Sequence, residues 1–95
     1  MAFSNILYAS EVNVLRDFIA YEVNRRSITP NTVANVSPGT VVDDAWWTAI
    51  RTNLSKILTV SANSAATAGG IITKTTRDSL RDNAVTAYNT MVGRP

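Results

Sequence analysis

Ninety-five residues supply one domain, because two cores would leave each half too small to offset the entropy of ordering it. Hydrophobic residues are 45% of the chain and charged residues 17%, so the core supply is ordinary while the charged surface is sparse and open to protein contacts. Nine basic against seven acidic residues give a net charge of +2, too small a surplus to imply nucleic-acid binding.

The chain has neither cysteine nor histidine. That excludes a disulfide framework, thiolate metal sites and the commonest general base, leaving carboxylates, hydroxyls, lysine and tyrosine for any chemistry. The expectation is therefore a protein that is not an enzyme, with no catalytic residues, cofactor, metal or small-molecule substrate. Met1 to Leu7 lacks a basic run followed by a long apolar stretch, and no segment approaches the roughly 20 apolar residues of a membrane span. Neither a signal peptide nor a membrane anchor is expected.

Three segments superimpose without gaps: 4–23, 39–58 and 69–88, separated by linkers 24–38 and 59–68. Each begins with an apolar pair, continues through a short polar stretch, and ends in a helical pattern carrying an aliphatic-arginine pair. The expected fold is mainly α with short β-strands, as three repeated strand-turn-helix units in one small domain spanning 1–95.

In the first unit the pair Ile6-Leu7 favours an extended strand, and Ser10 stands where a helix cap is needed. Val12, Leu15, Ile19 and Val23 follow at the three-and-four spacing of one helix face. Beside that stripe Val14, Phe18 and Tyr21 form a second apolar face, more than so small a chain can readily bury. They are candidate interface residues.

The first linker contains Pro30 and a Ser-Pro-Gly turn. Its run Ile28–Val36 also admits an alternative, the second helix of a small DNA-binding helix-turn-helix protein with Thr29 as cap and Pro30 at the first helical position. Against it, the run offers no Arg, Lys or Gln to reach bases or phosphates.

The second unit has the pair Val41-Val42, a cap at Asp43 or Asp44, and the stripe Trp47, Ile50, Leu54, Leu58. Trp46 must point about 100° away from Trp47, so it joins the candidate interface. Two adjacent aspartates ahead of a helix suit its dipole and cap better than they suit a metal.

After a second linker rich in Ser, Ala and Thr, the third unit carries Gly69-Gly70, the pair Ile71-Ile72, a capping box from Thr75 to Asp78, and the stripe Arg77, Leu80, Ala84, Tyr88. No phosphate-cradling glycine motif is present. Val92-Gly93-Arg94-Pro95 stops the last helix. The recurring Arg16, Arg51 and Arg81 flank the three helices, placed to pair with Asp17, Asp82 or the acids of a partner.

The run Asn5-Ile6-Leu7-Tyr8-Ala9-Ser10-Glu11-Val12-Asn13-Val14-Leu15-Arg16, with Ile19 and the terminal Arg25-Arg26 beyond it, resembles a pattern of small structural proteins of tailed bacteriophage virions. Their unit reads roughly glycine-x-x-isoleucine-x-alanine-x-x-x-asparagine-x-leucine-arginine. The second unit keeps Gly39, the apolar pair and Ile50-Arg51 but has Thr48 for the asparagine; the third keeps Gly69-Gly70, its pair and Leu80-Arg81, with Asp78 there. The resemblance implies a tail, neck, baseplate, fibre-base or capsid decoration protein, assembled in the host cytoplasm and located in the virion. Its partners would be copies of itself, as a homo-oligomer, and other virion structural proteins.

Overall fold

The computed structural model of the chain describes residues 9–38, 42–66 and 72–90. They form three helices, α1 (Ala9–Asn24), α2 (Asp44–Ser55) and α3 (Lys74–Thr90), with one 3₁₀ turn, Ala62–Ser64, between the last two. Val12, Trp47 and Arg77, which are 35 and then 30 residues apart, the spacings at which the three segments superimpose, are each fully buried on their helices. The helical part of the unit therefore recurs in register.

The strand part does not, and the fold is a small three-helix, all-α domain. No strand occurs among the described residues. Ile6, Leu7, Val41 and Ile71 lie outside them, but Val42 and Ile72 are described, and neither is in a strand. Ile72 is buried and Val42 packs against the core. The reason lies in the caps. Asp43 Oδ1 accepts the Trp46 N–H at 2.7 Å, which places Val42 immediately before the cap and Trp47 at the fourth helical position. These are the two positions of a hydrophobic staple, which fixes the angle at which the chain enters a helix. The apolar residue serves helix entry and needs no neighbouring strand.

The third cap lies at the equivalent position. Thr73 accepts the Thr76 N–H at 3.2 Å, so Thr73, in register with Asp43, caps α3, and the expected Thr75 lies inside the helix. Ser10 likewise lies within α1. At the other end of α1, Arg26 and Ser27 donate backbone bonds to Val23 and Asn24, and Ser27 takes φ 62°, the left-handed geometry that closes helices and favours glycine.

The expected stripes supply the core. Val12, Leu15, Ile19 and Val23 of α1, Trp47, Ile50 and Leu54 of α2, and Arg77, Leu80 and Ala84 of α3 are fully buried. Leu58, past the end of α2, is only half-buried, and Ala87 takes the buried position expected of Tyr88. Two buried charges accompany these apolar residues. Arg77 lies 3.1 Å from Glu11 of α1 and 2.9 Å from Asp78, tying α3 to α1. Glu22, which no stripe anticipated, meets Arg25 and Arg26; Arg26 also bonds the Ala87 carbonyl at 2.7 Å. The second Glu22 oxygen sits 2.9 Å from Arg25 Nε, close enough for charge pairing though off the hydrogen-bond line. Buried charges need such partners, because an unpaired one would carry its full desolvation cost.

Candidate protein interface

Each linker is bound into the fold by side chains, and those bonds determine which candidate residues remain at the surface. Linker 1 is held from α1 by Asn13, whose amide bonds both the N–H and the C=O of Val36 at 2.8 Å, and by Arg16, which donates to the Val33 carbonyl at 3.0 Å. From α2, the Asn53 amide does the same to Asn31 at 2.8 and 2.9 Å, Trp46 Nε1 donates to the Ala34 carbonyl at 2.7 Å, and Lys56 reaches Thr29.

Linker 2 repeats the scheme one unit later. Trp47 Nε1 donates to the Ser64 carbonyl at 2.7 Å, Arg51 bonds Ser64 Oγ and the Ser61 carbonyl, and Asn83 of α3 accepts from Ser61 N–H at 2.9 Å. Asn53 and Asn83 are 30 residues apart, as are Asn31 and Ser61, so clamp and clamped residue both keep the register of the helices. This repeated clamp escapes an apolar-pattern search because its signal is an asparagine, which also occurs in loops.

The seven expected interface residues divide accordingly. Trp46 faces linker 1 and packs against the core, so the two adjacent tryptophans serve two different linkers. Arg16 pairs with Asp17 at 2.6 Å while holding Val33, and Arg51 holds the 3₁₀ turn. Arg81 contacts Asp82 at 3.0 Å and Asp78 at 3.7 Å. These four make contacts within the chain. Val14, Phe18 and Tyr21 remain together on one face of α1. Val14 is 50% and Tyr21 61% exposed, values that keep both outside the core.

Two residues that the sequence reading did not single out as interface complete this face. Tyr88 of α3 is 40% exposed and its ring centre lies 6.1 Å from that of Phe18, at an interplanar angle of 56°. The Arg25 guanidinium lies 5.3 Å from the centre of the Tyr21 ring and 5.4 Å from that of Tyr88. Both rings thus contact a cation whose geometry the buried Glu22 fixes. The result is a pre-ordered aromatic and arginine surface, the composition enriched at interface hot spots.

The helix required between Ile28 and Val36 by the DNA-binding alternative is absent, since that segment has no regular secondary structure and its backbone is occupied by the clamps. Among the described residues no helix is long and apolar enough to cross a membrane, and no three metal-ligating side chains cluster. Compared with known proteins, the chain matches no family model, no curated protein and no solved structure.

Proposed function

We propose that this chain is a structural subunit of a tailed-phage virion, acting by protein–protein assembly and carrying out no chemistry of its own. The observation that carries the assembly reading is the ordered surface of Val14, Phe18, Tyr21, Tyr88 and Arg25. Exposed Tyr21 and Tyr88 flank the Arg25 guanidinium, Phe18 contacts Tyr88, and exposed Val14 lies on the same face of α1, on a chain with only 17% charged residues. Contiguous apolar surface of this kind marks contact sites. The virion assignment rests on the resemblance of the Asn5–Arg16 run to small phage structural proteins. The lack of histidine and cysteine supports the non-catalytic half of the reading.

Mass spectrometry of purified, nuclease-treated particles tests the proposal. The chain should be recovered at a fixed ratio to the major structural proteins and stay with the particles through high-salt washing. Its absence from particles, or release by salt alone, would refute the assignment.

A further inference from the structure

The three helices are not held alike. Among the described residues α1 fully buries Val12, Leu15, Ile19 and Val23, and α2 buries Trp47, Ile50 and Leu54, whereas the apolar burial of α3 is Leu80 with Ala84 and Ala87. Alanine removes little apolar area from water, so α3 gains least from docking. Its other buried residue is Arg77, a charge whose desolvation has to be offset by Glu11 and Asp78.

Local propensity points the same way. Nine of the 17 residues of α3 are serine, threonine, asparagine or aspartate, against four of 16 in α1. These side chains compete for backbone bonds or lose rotamer freedom in a helix, so α3 has little tendency to stay helical once it leaves the core. Weak docking and weak propensity together mark a segment that opens as one unit, short of global unfolding.

We propose that α3 is a releasable arm, which undocks and loses its helix in one step while α1, linker 1 and α2 stay folded. Undocking breaks the Glu11–Arg77 pair and the Arg26 bond to the Ala87 carbonyl, and lifts the Tyr88 ring off Phe18. Phe18, half-buried in the closed form, then joins exposed Val14 and Tyr21 in a wider apolar strip. The opening stands on the packing alone; that the widened strip meets a partner rests on the assembly reading.

Amide hydrogen exchange of the intact chain, read by NMR under native conditions, tests the arm. The Leu80 and Ala84 amides should exchange through an opening about tenfold or more populated relative to the one that exposes Ile19 and Ile50. Asn53→Ala, which removes the clamp between α2 and linker 1, then identifies the opening. Closed and α3-open forms both carry that clamp, so Leu80 and Ala84 should keep their rates within about twofold while Ile19 and Ile50 accelerate about tenfold. Exchange of all four amides through a single opening in the native chain, or equal acceleration of all four in the variant, would overturn the arm. The assembly reading is decided separately, by recovery of the chain in particles.

Discussion

Replacing Asn53 with alanine isolates the clamp that binds linker 1 to α2. The amide is almost fully buried, and it makes two bonds to the Asn31 backbone at 2.8 and 2.9 Å. Each is worth about 1 kcal/mol net, so their loss costs about 2 kcal/mol, rising toward about 3 kcal/mol if the freed Asn31 groups stay shielded from water. A domain of this length is stable by about 5 to 14 kcal/mol, so the substitution removes a substantial share. In thermal unfolding followed by circular dichroism this is a fall of about 8 to 16 °C. Asn63→Ala, at an exposed asparagine of the 3₁₀ turn, should change stability by less than about 0.5 kcal/mol. If Asn53→Ala costs no more than that control, the linker is not held by this clamp and the repeated-clamp argument fails.

Other consequences are equally direct. Ser27→Gly relieves the positive φ at the end of α1 and should stabilise by about 0.5 to 1 kcal/mol, read as a higher urea midpoint at unchanged slope. Leu54→Ala empties a fully buried position and should cost about 2 to 5 kcal/mol in the same assay. Trp46→Phe, which loses one bond at a half-buried site, should cost about 1 kcal/mol, and Trp47→Phe clearly more because it strands the Ser64 carbonyl inside the core. Equal costs for the two tryptophans would contradict the assignment of one to each linker.

The sequence made the helices and most of the core readable because a three-and-four apolar spacing is a direct image of one helix face. Val12, Trp47 and Arg77 align across units, and all three are buried. An arginine at such a position could be placed by register alone, and its partners Glu11 and Asp78 account for its burial. Val42 and Ile72 were misread because an apolar residue before a helix cap carries the same local signal as a two-residue strand; only the cap geometry distinguishes them. The pairing of Arg16 with Asp17 and of Arg81 with Asp82 was legible from sequence neighbours, whereas the bonds of Trp46, Arg16 and Arg51 to linker backbone leave no periodic trace. Tyr88 was expected in the core since its spacing from Ala84 is helical. It turns outward because Ala87 takes the buried position and the Tyr88 ring packs, tilted, against Phe18.

Sedimentation velocity across about 1 to 100 µM, comparing the native chain with a Val14→Lys, Tyr21→Ser double variant, tests most directly whether the α1 face drives assembly. The native chain should sediment faster with rising concentration, while the variant stays monomeric with the same helix content by circular dichroism. A native chain that remains a single monomeric species throughout, or a variant that associates equally well, would contradict the account.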